Sequence, residues 1–519
     1  MKRLWLFALV ILLLLASCGK VDLGKIETGK PYVGLYNGDD IVVVLDQVSE
    51  GDVMGHAYLD KGAPESEPVD FTSHVGRKGR GQLKCGEGEK PLKLNVGDGL
   101  LSGQCGVGNF ELRSYVPDTV SFRSFFKNPQ YKVFEEQGRV YANDVPGYWV
   151  SYPETKEGFG AIYMRRITDL AFTKEVDLDM DLYYPNEPSP VARPLLVLIH
   201  GGAFYNGDKS SVGFPELGRH FAKRGYVVAS INYRLGFRPT GQSIDRAGYR
   251  AVQDAHAAVR YLICHADEFQ IDPDHIFVAG TSAGAITALN LTFMREENRP
   301  EASYKPDLGP VESVNPEVKL PFTIKAVVNM WGAVHDLSML ANSKKTSVLS
   351  FHGDQDPIVP YDYGCPFHDM VSSLVEGVFR PMYGSKPITE KMASMGTRAE
   401  LHTCEGGGHS LHVDDNGQLS EYFNDTILPV MTRFLCEEMA GGMMVKLVRT
   451  ESEGRWFEAI DADNVAELHW QVEGGVVVAQ QGHKMRALFF SDVPTHSVTV
   501  SGKYKNGGEF REELEVENI

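Results

Sequence analysis

Cysteine is scarce, with seven in 519 residues and no Cys-x-x-Cys pair, so the ligand spacing of most structural zinc sites is missing. Positive charge is also short. Lys and Arg number 51 against 69 Asp and Glu, a formal net charge of −18. That balance disfavours a phosphate-directed surface for nucleic acid and attraction to anionic lipid. There is no internal repeat and no low-complexity tract. The long uncharged run near the start, Leu4 to Ala16, is short for a membrane span. What is present is an ordinary globular composition, 43% apolar and 23% charged, in a chain long enough for two or three domains. Neutral or weakly charged small substrates suit it best.

The first residues read as an export signal. Lys2 and Arg3 precede the apolar run, and Leu15-Ala16-Ser17-Cys18 closes it. This closing box resembles that of bacterial lipoproteins, which implies lipidation of Cys18 and a signal segment over 1–18. The expected location is then a bacterial membrane, the outer membrane in its periplasmic or surface-facing form, touched through the lipid anchor alone. Removing Cys18 leaves six cysteines, an even number that permits disulfides in an exported chain. Cys85 with Cys105 is the first expected pair and Cys365 with Cys404 the second. Cys264 and Cys436 fall in helical patterns, as buried thiols would.

Residues 19–124 read as an all-β barrel or sandwich, with short strands at 32–36, 41–45, 92–96 and 110–115 between turn signals. From 125 to 440 apolar strands alternate with helical patterns. Strands are expected at 176–184, 194–200, 226–232, 276–281, 324–330, 347–351 and 399–403. Helices are expected at 215–224, 244–269, from 283, at 367–377 and at 419–439. This is an α/β pattern, a mainly parallel sheet with helices on both faces, in which ligands bind beyond the C-terminal strand ends. After Gly441-Gly442 the helices stop, and 441–519 reads as an immunoglobulin-like β-sandwich.

The chemistry centres on Gly280-Thr281-Ser282-Ala283-Gly284, where an apolar strand runs straight into a helical pattern. Such a turn leaves little room for side chains, and it exposes the serine hydroxyl at a helix N-terminus. Ser282 is the candidate nucleophile. Acyl transfer also needs oxyanion donors, a base and a group to orient that base. Backbone N–H groups of Gly202 and Ala203, in His200-Gly201-Gly202-Ala203-Phe204, and of Ala283 are the candidate donors. His409, in Glu405-Gly406-Gly407-Gly408-His409, is the candidate base. A metal cluster of His409 with His402 and His412 is the rival, and no zinc motif spacing supports it. For the acid, His352-Gly353-Asp354-Gln355-Asp356-Pro357 offers two aspartates. Asp356 stands farther out, beside a rigid proline.

The chain order Ser282, Asp356, His409 is that of the α/β-hydrolase fold. Residues 160–440 resemble a carboxylesterase-type α/β-hydrolase. His200 to Phe204, Asn206-Gly207-Asp208-Lys209 and Gly280 to Gly284 are similar to those of bacterial feruloyl-esterase-like hydrolases. Asn232-Tyr233-Arg234 and Asp254 suit the same group as supporting residues. Thr281 and Ala203 depart from the acidic residue and third glycine usual in hormone-sensitive-lipase-like relatives. The resemblance favours Asp356 over Asp354. It implies a serine carboxyl-ester hydrolase with no metal or organic cofactor, acting on a small ester or on feruloyl or acetyl decorations of polysaccharide. Phe204, Tyr205 and Trp331 are candidates for an acyl pocket. A lipase-like or xenobiotic esterase is the alternative, and so is an anchored binding protein with an inactive hydrolase domain. A serine peptidase would ordinarily bring a propeller domain, for which the N-terminal region is too small.

Overall fold

The computed structural model describes residues 22–516 apart from short segments, the longest being 153–165 and 368–378. The signal segment with Cys18, and all but the first residue of the helix expected at 367–377, lie outside the described residues. The chain forms two compact units, Phe125–Met439 and the two chain ends, Met1–Ser124 with Ala440–Ile519.

Phe125–Met439 is built on an eight-stranded sheet. Its strands are β1 (Val133–Gly147), β2 (Lys174–Pro185), β3 (Arg193–Ile199), β4 (Val227–Ile231), β5 (Ile271–Thr281), β6 (Ile324–Met330), β7 (Ser347–Gly353) and β8 (Ala399–Cys404). Their spatial order is β1-β2-β4-β3-β5-β6-β7-β8. β1 and β2 run antiparallel at one edge, and the remaining six are parallel. Every residue of β3, β4 and β7 is buried. That is why these segments read as unbroken apolar runs: helices cover both faces.

The helices are α1 (Phe214–Ala222), α2 (Gly241–Cys264), α3 (Ala283–Phe293), α4 (Ser385–Ser394) and α5 (Leu428–Ala440). Thr240 caps α2 by accepting the N–H of Ser243. The small residues Ala247, Ala251, Ala255 and Ala258 are buried along α2 and let it lie close to its neighbours. A π turn, Phe423–Ile427, leads into α5, just ahead of Pro429, which has no N–H to give a helical bond.

In this unit one sheet strand and one helix went unread in the sequence. β1 is an edge strand whose register shifts three times and whose first half is mostly exposed, so its apolar residues never alternate cleanly. α4 carries Pro387 and five charged or hydroxylic residues, Lys386, Thr389, Glu390, Lys391 and Ser394, off its buried face. Its buried face reduces to Ser385, Ile388 and Met392.

In the other unit, eight antiparallel strands from Pro31–Tyr36 to Gly108–Ser114 close into a barrel, the first pairing with the last. Tyr32, Ile41, Val43, Leu45, Phe71 and Leu112 fill it. The C-terminal strands form two sheets sharing a core of Phe457, Trp470, Phe489, Val498 and Val500. The barrel and the two C-terminal sheets keep separate cores within one compact unit. Glu65–Ser66 pairs in parallel with Phe489 and Phe490, and Tyr58 stacks on Phe490 with ring centroids 4.2 Å apart. Residues so far apart in the chain leave no local pattern for such pairing.

The expected Cys85–Cys105 disulfide is absent, because Cys105 is a free, buried thiol. Cys85 pairs with Gly88, and Cys105 pairs with Leu92 on the far side of the strand between them. Two strand spacings, about 9.5 Å, already exceed the Cα separation a disulfide bridges. Cys365 and Cys404 are free as well, as are Cys264 and Cys436. Of the last two, Cys436 is buried and Cys264 exposed.

Candidate active site

β5 ends at Thr281 between β3 and β6, and α3 starts at Ala283. Ser282 occupies the turn between them with φ 52° and ψ −118°, a left-handed conformation that costs a non-glycine residue of order 1–3 kcal/mol. The turn closes because its two glycines have no side chains. A Cβ on Gly280 would strike the backbone of Gly284, and one on Gly284 would strike the carbonyl of Ile199 in β3. Ser282 N–H donates to Met330 O at 2.9 Å, which anchors the turn to β6.

The strand ends on either side complete the arrangement. His409 Nε2 lies 2.9 Å from Ser282 Oγ, and its Nδ1 lies 2.7 Å from Asp356 Oδ2. The other Asp356 oxygen accepts the N–H groups of Ile358 at 2.8 Å and Val359 at 3.0 Å. His352 Nε2 stands 3.3 Å from Oδ2. Burial alone would push the Asp356 carboxyl up, but the donors His352 and His409 hold it well below the ordinary range. Asp356 is therefore a carboxylate aimed at His409. Of the two sequence candidates, Asp354 does something else: its Oδ1 accepts the N–H of Gly406 at 2.7 Å and steadies the glycine loop.

That loop reaches the sheet because Gly353 at the end of β7 lets the Gly407 carbonyl come close. Gln355 N–H donates to Gly407 O at 3.0 Å. His402 lies against Phe351, and His412 stacks on Trp331 at 5.2 Å. Burial and the neighbouring His409 lower the His412 pKa to about 4. The other two histidines of the rival metal cluster thus serve as ring partners.

After β3 the chain turns through Gly202, Ala203 and Phe204, all at positive φ. Tyr205 and Asn206 N–H donate to Gly202 O at 2.9 and 3.0 Å. Ala203, Ser282 and Ala283 line one cleft. Ala283 is the first helical residue, so its N–H has no acceptor within α3. Gly202 shapes the turn without lining the cleft. The supporting residues are in place: Arg234 and the buried Asp254 form a two-pronged pair with a 2.7 Å Nη2–Oδ1 contact. Asn232 Oδ1 accepts Lys209 N–H at 2.9 Å.

The cleft measures about 910 Å³ with its open mouth included, and Ile244, Val252, Ile286, Met294 and Phe379 give it an apolar wall. Of the three aromatic pocket candidates, Phe204 lines it. Tyr205 and Trp331 do not; both are fully buried. Tyr205 packs edge-on against Trp149 and Phe237. Trp331 backs the His409 ring, with centroids 6.3 Å apart. Much of the wall comes from α2 and from Arg380 and Met382. These residues meet only in the folded chain, so no local motif marks them.

Residues 180–350 match the family model described as BD-FAE. The sheet order and the Ser282 turn give this unit the α/β-hydrolase fold, and the match makes it similar to carboxylesterase-type members of that fold. The chain is 31% identical over 125 residues to gut esterase 1 of Caenorhabditis elegans, covering 24% of this chain and 22% of that one. It is 33% identical over 127 residues to bile salt-activated lipase of Mus musculus, covering 22% and 21%. The chain thus spans about a fifth of the length of these curated relatives. A solved thermophilic esterase of Thermogutta terrifontis, with propionate bound, is similar at 22% identity and a TM-score of 0.36, over 50% of this chain and 90% of that one.

Proposed function

We propose that this chain hydrolyses carboxyl esters through an acyl-enzyme on Ser282. The observation that carries the reading is the continuous series Ser282 Oγ, His409 and Asp356, at 2.9 and 2.7 Å, beside an apolar cleft. His409 Nε2 takes the Ser282 proton as Oγ attacks the carbonyl carbon, and Asp356 orients the imidazole and stabilises its cation. The N–H groups of Ala203 and Ala283, the two candidate donors whose residues line the cleft, receive the oxyanion. His409 then protonates the departing alcohol. Water attacks the acyl-enzyme with His409 again as base, and the acid leaves.

The finer reading is that the ester is a feruloyl or acetyl decoration of polysaccharide. Support comes from the BD-FAE match over 180–350 and from a cleft wall suited to an aromatic acyl group. Kinship with bile salt-activated lipase favours a second reading, a lipase-like esterase. For location, Leu15-Ala16-Ser17-Cys18 supports a lipid anchor on a bacterial membrane. Cys18→Ser should move the protein from the membrane to the soluble fraction.

The test of activity is turnover of p-nitrophenyl acetate by wild type and Ser282→Ala. Loss of turnover in a folded variant is expected, whereas retained turnover would mean another nucleophile. No turnover by wild type on any short ester would favour a binding protein. Comparing methyl ferulate, acetylated xylan and long-chain acyl esters then separates the two substrate readings.

A further inference from the structure

β7 is an apolar strand that places a histidine, His352, in the fully buried interior directly before the acid loop. An imidazole in such a place must have each ring nitrogen engaged or lose free energy. Its Nδ1 lies 2.7 Å from Ser385 Oγ on α4. Its Nε2 lies 3.2 Å from Val359 O and 3.3 Å from Asp356 Oδ2.

The proton positions follow from the partners. A carbonyl and a carboxylate only accept, so Nε2 carries the hydrogen. Ser385 Oγ accepts the N–H of Asn329 Nδ2 at 3.0 Å, which leaves its own hydrogen for His352 Nδ1. Asn329 is held in turn: its Oδ1 accepts Gly332 N–H at 2.9 Å, and its Nδ2 donates to Ser350 Oγ at 3.1 Å. Asn329, Ser350 and Ser385 are fully buried. The hydrogens of Asn329 Nδ2, Ser385 Oγ and His352 Nε2 therefore lead in turn toward Asp356, and the last N–H divides between Asp356 and the Val359 carbonyl.

We propose that His352 is a positioning residue for this hydrolase, fixed as its Nε2–H tautomer by Ser385 and Asn329 to hold the Asp356 carboxylate ionised and aimed at His409. The proposal rests on the Ser282, His409 and Asp356 reading given above. The carboxylate then has four donors: two backbone amides on Oδ1 and two imidazoles on Oδ2. Without His352 the buried carboxylate is more basic and grips the His409 proton more strongly. The Val359 carbonyl is also released. The groups facing His352 are Asp356, the edge-on ring of Tyr361 at 5.6 Å, and, across the carboxylate, His409.

The experiment compares His352→Leu, His352→Gln and Ser385→Ala with wild type in the full chain, with kcat and KM on p-nitrophenyl acetate from pH 5 to 9. Thermal melts and p-nitrophenol burst amplitudes count the folded sites. In His352→Leu, kcat per site should fall about 10–100-fold, as for a lost hydrogen bond to a charged group. KM should stay within about 2-fold, and the acid limb of kcat/KM should move to higher pH. His352→Gln, whose amide N–H can stand near the Nε2 position, should recover most of the loss. Ser385→Ala, a small change that keeps the fold, should show the same limb shift with a smaller loss in kcat. A folded His352→Leu with wild-type kcat and acid limb overturns the proposal. So does a loss that Gln leaves unrelieved while Ser385→Ala is unchanged, because packing alone would then explain it. Full turnover in Ser282→Ala would instead defeat the underlying site reading, whatever the His352 variants do.

Discussion

Asp354 Oδ1 accepts the backbone N–H of Gly406 at 2.7 Å, joining the end of β7 to a loop 52 residues farther along the chain. Two residues later, Asp356 points the other way and meets His409. Neighbouring aspartates thus hold a loop and an imidazole respectively. Asp356→Asn should lower kcat by about 10⁴, the scale of a lost triad carboxylate. Asp354→Ala should lower it about 10-fold or less, since one backbone hydrogen bond is at stake. Steady-state rates on p-nitrophenyl acetate decide, and equal losses would reverse the assignment.

The serine turn tolerates no added methyl group. A Cβ at Gly284 meets the carbonyl oxygen of Ile199, which belongs to the backbone of β3 and cannot yield. Gly284→Ala should cost more than about 3 kcal/mol through overpacking, seen as a large fall in melting temperature or as insoluble protein. Gly406→Ala is the control for space, as a Cβ there touches nothing. It carries only the milder strain of a positive φ of 70°.

Acid stability should depend on Glu400. Burial would raise its carboxyl pKa, but Arg433 and Arg398 lower it to about 2, below the unfolded value of about 4.3. A depressed folded pKa adds stability that is complete above about pH 5 and fades as the pH falls toward 2. Glu400→Gln should therefore lower the melting temperature at pH 7 and show little difference from wild type near pH 2. Solvent reaches this network, so roughly 1–2 kcal/mol is the expected scale at neutral pH. A constant difference across pH would exclude the ionic cause.

Cys105 offers a check on the barrel. Its thiol is buried, and burial pushes its pKa up to about 11. It should resist Ellman's reagent in the native protein and react in urea. Mass spectrometry without reduction should find Cys105 unpaired. Cys105→Ser should destabilise by about 1–3 kcal/mol, through a hydroxyl placed among Tyr32, Leu101 and Leu112.

Much of the hydrolase unit was legible along the chain, for a physical reason. Strands buried on both faces must be apolar throughout, and a strand-to-helix turn this tight must be glycine, serine and glycine. Those demands are local, so β3 to β7 and Ser282 could be read directly. His409 was marked by the glycines that let its loop approach β7. The edge strand β1 was not legible, since an exposed and bulged strand has no strict apolar period. Nor was α4, whose contribution to the site is one serine.

The sequence by itself determined the order of strands and helices, the nucleophile turn and the residue types around it, because each is a constraint between near neighbours. Tertiary structure decided which aspartate faces His409, that Tyr205 and Trp331 belong to the core, and that Cys105 stands alone. It also brought His352, Ser385 and Asn329 into one hydrogen-bonded series behind Asp356. Those outcomes depend on distances and directions between segments far apart in the chain, which are set only when the strands take their places in the sheet.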